Sequence, residues 1–278
     1  MAFSHNVSIV TDGLVCSLDA SDKNSYPYPD LHPSGSNWYD LRQGGFRGQG
    51  FPFDDPGLTF ATDNDQGAAG ANTGSFVNEH GGGLHFTGSH DNFLNASRTL
   101  TDSSTVGDVN FGGSEANFTY EVWVKFNQGD AVGGGGHIIG NNARTDGLLR
   151  GANGNNSHLS IDGSGNLKAF TFNGGGGHSD YDTGFDMAVG EVAQVGMVHT
   201  AETSKAGFKN GVLGASQARW STQNFAYITL LGEHNEGSYF TQMDFPNMTL
   251  YAVRIYNRVL SAKEIKQNYN AQRSRFGL

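Results

Sequence analysis

The sequence is short of cysteine, of charge and of long apolar runs, and each shortage excludes something. A single cysteine, Cys16, rules out an intrachain disulfide. It sits in the apolar alternation Leu14-Val-Cys-Ser-Leu18 and reads as a buried, inert thiol. No apolar stretch approaches the roughly 20 residues that a membrane helix needs, so membrane insertion is not expected. Only 16% of residues are charged, too few for disorder through charge repulsion. Positive charge is the scarcer sign, with Lys+Arg at 17 against Asp+Glu at 27 and a net charge of −10. No basic stripe stands out, which argues against a nucleic-acid partner. The start, MAFSHNVSIV, lacks a basic region followed by an apolar run, so synthesis in the cytoplasm without a signal peptide is expected.

Glycine and aromatics are what the chain has in plenty, at 41 residues and 12%. That balance suits thin sheets joined by long turns, and 278 residues fit one large β-domain or two small ones. The clearest central strand is Phe118–Phe126, where Phe118, Tyr120, Val122, Val124 and Phe126 share one face and Glu121, Trp123 and Lys125 the other. Further strands are predicted at 13–19, 83–86, 137–140, 147–150, 158–162, 167–172, 193–199, 206–209 and 227–232. Turn signals such as Asn153-Gly, Asn173–Gly177 and Asn210-Gly211 separate them.

The stretch Thr249–Asn270 closes the pattern. Leu250, Ala252 and Arg254 alternate with Tyr251, Val253 and Ile255, the period of a strand. Ser261-Ala-Lys-Glu264 is a capping box, so a helix is predicted over about 262–269, with Leu260, Ile265 and Tyr269 as its anchors.

The run VRIYNRVLSAKEIKQNYNA resembles the closing strand and helix of laminin G-like, concanavalin A-like jelly-roll domains. The tail Asn270–Leu278, the opening Gly13-Leu-Val-Cys-Ser-Leu-Asp19-Ala20 and Trp38-Tyr-Asp-Leu41 are similar to a subset found in structural proteins of tailed bacteriophages. The resemblance implies an all-β, two-sheet antiparallel jelly-roll sandwich with a short C-terminal helix. Residues 1–12 would form an arm, 13–271 the sandwich with a long loop insertion over about 21–80, and 272–278 a tail. It also implies a non-enzymatic virion protein, a capsid decoration, fibre or tail component, contacting other virion proteins and a host surface glycan. The alternatives are a free carbohydrate-binding lectin and, less favoured, a glycoside hydrolase.

Catalytic patterns are missing. Glucanases of this fold carry Glu-x-Asp-x-x-Glu on one strand, and Glu121, on the strand to search first, has no such partners. His80, His85 and His90 are spaced five apart, which alternates faces on a strand and does not build a metal site. No cofactor is required by the sequence, and Ca²⁺ is the one candidate. Asp180-Tyr-Asp182-Thr-Gly184-Phe-Asp186 reads as a carboxylate loop around a bend, and Asp91 falls at a sheet-edge aspartate of the resembling family. The loop aromatics Trp38, Tyr39, Tyr181, Trp220 and Tyr239 are candidates for glycan or partner contact. An oligomer, a trimer before a dimer, is expected to form through the aromatic-bearing insertion and through an arm whose Val7–Val10 adds a strand to a neighbour.

Overall fold

A computed structural model describes residues 7–26, 37–38, 41, 58–60, 75–86, 94–95, 117–128, 136–142, 156–162, 164–173, 177–200, 203–218, 227–230 and 247–278. In chain order its strands are β1 Leu14–Asp19, β2 Asn37–Trp38, β3 Leu58–Phe60, β4 Ser75–Val77, β5 Gly83–Phe86, β6 Leu94–Asn95, β7 Phe118–Gln128, β8 Gly136–Asn142 and β9 Asn156–Ile161. β10 Asn166–Asn173, β11 Gly177–Asp186, β12 Val192–Thr200, β13 Ser204–Lys209, β14 Val212–Leu213, β15 Gln217–Ala218, β16 Tyr227–Leu230 and β17 Asn247–Tyr256 follow. The helix α1, Ala262–Gln272, and a 3-10 turn, Arg273–Phe276, end the chain. The expected sandwich is observed: two antiparallel sheets and one short C-terminal helix.

The first sheet runs β14-β13-β12-β7-β17-β5-β4, with β1 also on β17 and β15 on β13. The second runs β11-β10-β9-β8-β16-β6-β3-β2. Between them lies one core, to which β7 gives Phe118, Tyr120, Val122, Val124 and Phe126, the face its alternation marked. Strand β17 departs from simple alternation. Its pairing with β7 slips between Leu250 and Ala252. The extra residue turns Tyr251 and Ala252 together onto the outer face, while Leu250, Val253 and Ile255 all enter the core. β13 and β14 are joined by a hairpin at Asn210-Gly211, where φ of 50° and 78° supplies the turn that Asn-Gly was expected to make.

Helix α1 lies on the outer face of the first sheet. Its capping box forms as read: Glu264 N donates to Ser261 Oγ at 3.3 Å and Ser261 N donates to Glu264 Oε2 at 2.8 Å. Leu260 and Ile265 are buried, and Tyr269 stacks on Trp123 at 5.9 Å. Arg258 donates to Glu264 at 2.6 and 3.1 Å and holds that carboxyl down, from the ordinary 4.5 to about 2. Because the folded pKa is depressed, this contribution is present above pH 4.5 and is lost as pH falls toward about 2. Melting temperatures taken across that window should therefore drop less steeply in Glu264→Gln than in the natural chain. Equal slopes would remove Glu264 from the acid response.

Two expected free ends are docked instead. Among the arm residues described, Val10 N donates to Asn268 Oδ1 at 2.7 Å and Tyr256 OH donates to Val10 O at 3.1 Å. Gln267 Nε2 donates to Ser8 O at 2.9 Å. The backbone that would have extended a neighbour's sheet is bonded to its own helix. At the other end, α1 continues through Gln272 and the final residues fold back on the sheet, so no tail reaches away from 272 onward. The insertion over 21–80 likewise contributes to its own sandwich: β2 and β3 join the second sheet, β4 joins the first, and Tyr26 and Trp38 are buried.

Candidate functional site

The two outer faces differ. That of the first sheet is roofed by α1. Beneath the roof Glu121 is fully buried, paired to Arg254 Nη1 at 2.7 Å and accepting from Asn268 Nδ2 at 2.6 Å. Arg254 also donates to Gln272 Oε1 at 2.9 Å. Glu121 is therefore the hub of a structural network and not a cleft carboxylate. Beside it Trp123, Tyr251, Ala252 and Phe276 form an apolar cluster. Past the helix, Asn127 Nδ2 contacts His85 Nδ1 at 3.1 Å and donates to Thr249 Oγ1 at 3.1 Å. Burial and the Lys125 charge hold the His85 imidazole below its ordinary pKa.

The second sheet places two register rows side by side. One reads Phe60–Leu94–Leu230–Ile139–Leu159–Ala169–Tyr181 and is apolar throughout. Ile139, Leu159 and Ala169 in it are fully buried in the core. The next reads Asn37–Thr59–Asn95–Thr229–Gly140–His158–Phe170–Asp180 and crosses all eight strands of the sheet. Successive residues of a strand belong to opposite faces, so this second row lies on the face away from the core. A flanking row, His137–Ser160–Lys168–Asp182, is polar too.

The hairpin between β9 and β10 fixes the described part of this face. Asp162 accepts from Ser164 N at 2.9 Å, from Asn166 N at 3.0 Å and from Asn166 Nδ2 at 2.9 Å. Burial pushes the Asp162 carboxyl up, but these hydrogen bonds and the nearby Lys168, at 3.5 Å, bring it below the ordinary carboxylate value. Ser160 Oγ donates to Lys168 O at 3.4 Å.

The residues singled out in the sequence fare differently. Trp38 is fully buried in the core, and Tyr181 packs its ring against that core while its hydroxyl donates to Ala215 O at 2.9 Å. Neither is a free loop aromatic. Tyr39, Trp220, Tyr239 and Asp91 lie outside the described residues. Asp180, Asp182 and Asp186 sit on β11, an edge strand and not a loop. Asp182 Oδ1 accepts from Gly184 N at 2.9 Å and supports the bend there, where φ is 75°. Among the described residues no three His, Cys, Asp or Glu side chains are grouped to hold a metal ion. No helix among them is long and apolar enough to cross a membrane.

The polar row escaped the sequence reading because its members come from eight strands spread over residues 37–180 and 229. Each strand shows only its own alternation, and three of them are two or three residues long. The one local signal was His158-Leu-Ser-Ile161, a polar–apolar alternation around Leu159.

Comparison with known proteins fits this architecture. A sialidase of Trypanosoma rangeli in complex with 2,3-difluorosialic acid superposes with a TM-score of 0.57 at 16% identity, over 96% of this chain and 34% of that one. The receptor-binding domain of botulinum neurotoxin type G gives 0.56 at 12% identity, over 94% and 52%. The binding domain of Paraclostridial mosquitocidal protein 1 gives 0.58 at 14%, over 93% and 52%. The chain thus spans about a third to a half of these longer chains, and at such identities the likeness is one of fold. No curated protein matches the chain by sequence. Residues 97–266 match the laminin G-type model described as the concanavalin A-like lectin/glucanases superfamily. With that match covering more than half of its length, the chain belongs to the concanavalin A-like lectin/glucanases superfamily.

Proposed function

We propose that the chain is a non-catalytic binding module of a tailed-bacteriophage virion, a decoration, fibre or tail component, whose second sheet holds a hydroxyl-rich glycan on its outer face. The observation that carries the glycan reading is the unbroken row from Asn37 to Asp180 across the face away from the core. Its amides, hydroxyls and imidazole can donate and accept and its carboxylate accepts, as sugar hydroxyls require. Phe170 offers a ring for the apolar face of a sugar. A glycan laid across the strands meets a new row position about every 4.8 Å, the spacing of paired strands. The virion setting rests on the resemblance of the two chain ends to phage structural proteins. Among chains of similar fold, one holds a sialic acid derivative and two are binding domains, in keeping with a recognition role.

A panel of immobilised glycans, probed with the isolated chain, tests the binding claim. Phe170→Ala should weaken the best interaction tenfold or more, the loss of about 1.4 kcal/mol expected of an anchor residue, with an unchanged melt. Retention of full affinity would remove the row from binding. Mass spectrometry of purified particles from the source phage tests the setting. A free lectin would use the same face and be missing from particles.

A further inference from the structure

Charge is segregated along this chain. Residues 258–278 hold Arg258, Lys263, Lys266, Arg273 and Arg275 against one acid, Glu264, a formal +4, so the preceding residues carry −14 of the net −10. Arg258 is engaged by Glu264 and Asp12, and Arg275 by Asp19. The other three, Lys263, Lys266 and Arg273, are exposed and form no ion pair among the described residues. With Asn270 they fall at i, i+3, i+7 and i+10, one stripe along the solvent face of α1 and its 3-10 extension. The stripe is braced from below. Lys266 Nζ lies 4.6 Å from the Tyr269 ring centre and the Arg273 guanidinium 5.9 Å from it, and that ring is itself stacked on Trp123. This is the basic stripe that the sequence did not reveal, because its cations are separated by buried and neutral residues.

The matching surplus lies on β11. This ten-residue strand is the outer edge of the second sheet, and Asp182 and Asp186 on it are exposed. Pairing with β10 slips between Asn166 and Lys168, opposite Asp186 and Asp182, so this edge is bulged. A bulged, acidic edge resists strand addition but leaves the Asp182 and Asp186 carboxylates exposed. The ten-residue step from Lys263 to Arg273 spans about 15 Å of helix, while Asp182 and Asp186 lie opposite a two-residue step of β10, about 7 Å of strand, so the bulge brings the two positions closer than a regular four-residue step would. Helix and edge belong to different layers of one molecule, and among the described residues no ion pair joins them.

We propose that the cationic stripe of α1 docks on the acidic β11 edge of a second copy of this chain. The proposal takes up the assembly part of the virion reading and is independent of any glycan. Contacts of this kind are individually weak and screened by salt, so self-association should be strongest in dilute buffer.

Sedimentation equilibrium of the full chain, without glycan or particle, tests it. The natural chain should exceed monomer mass in low salt and return toward it at about 0.5 M salt, where the screening length falls well below 10 Å. Lys263→Glu/Lys266→Glu/Arg273→Glu and Asp182→Lys/Asp186→Lys should each be monomeric, with melts confirming that both fold. Mixed in equal amounts, the two charge-reversed chains should associate with each other. A natural chain that stays monomeric in low salt overturns the proposal, whatever anionic resin the stripe binds. So does association that survives either reversal. Should the helix variant fail to fold, the β11 variant and the salt series alone decide the same question.

Discussion

Truncating Glu121 to alanine should lower the free energy of unfolding by about 3–5 kcal/mol, the cost of stranding a buried partner charge. Glu121 on β7 and Arg254 on β17 are neighbours in register, and both are sealed beneath α1, with side chains 0% and 3% exposed. Removing the carboxylate leaves the buried Arg254 guanidinium, among the described residues, with Gln272 alone, and leaves Asn268 without its 2.6 Å acceptor. Replacing both partners together, as Glu121→Met/Arg254→Met, should cost less than the single truncation, because no charge is then stranded. Urea unfolding of the three variants makes the comparison. If the double variant were as unstable as the single one, or the single one as stable as the natural chain, the network would not be what fastens the helix to the sheet. The same experiment bears on chemistry. A catalytic Glu121 would tolerate substitution in stability and lose activity, the reverse of what burial predicts.

The second large effect belongs to the last residues. Phe276→Ala should destabilise by about 3–5 kcal/mol, the range for emptying a buried aromatic site. The Phe276 ring stacks on Trp123 at 4.3 Å and meets Tyr251 and His80 at 5.2 and 5.3 Å. One residue earlier, Arg275 donates to both Asp19 oxygens at 2.9 and 3.0 Å, to His80 O at 2.7 Å and to Gly82 O at 2.9 Å. The chain end therefore ties β1 and the turn before β5 to the roof of the first sheet. Ending the chain after Ser274 should exceed the single substitution, since it removes the clamp as well as the ring. Thermal melts of the two forms would contradict this docking if both matched the natural chain.

Legibility followed the range of the interactions. The capping box at Ser261 and Glu264 is a contact between residues three apart and could be read directly. The face of β7 was clear because eleven regular residues repeat the same alternation. Tyr251 was misassigned because a bulge leaves no mark in the sequence of its own strand and exists only in register with β7. The docking of Phe276 and of Val10 depends on which surfaces the finished sheets leave open, which no local pattern encodes. Strand β11 was read as an ion loop because its carboxylates alternate around a glycine that permits a bend. It is instead an edge strand paired with β10, with Thr183 packed against Gly207 of β13. The polar row is the extreme case, since it needs the register of seven strand pairs.

The measurement that bears most directly on the binding face is hydrogen exchange of the isolated chain with and without the strongest glycan from the panel. Slowed exchange on the second sheet, in β8, β9, β10, β11 and β16 above all, with α1 and β17 unchanged, is the predicted result. Slowing on α1 or at the β12–β13 end, with those five strands unaffected, would contradict it.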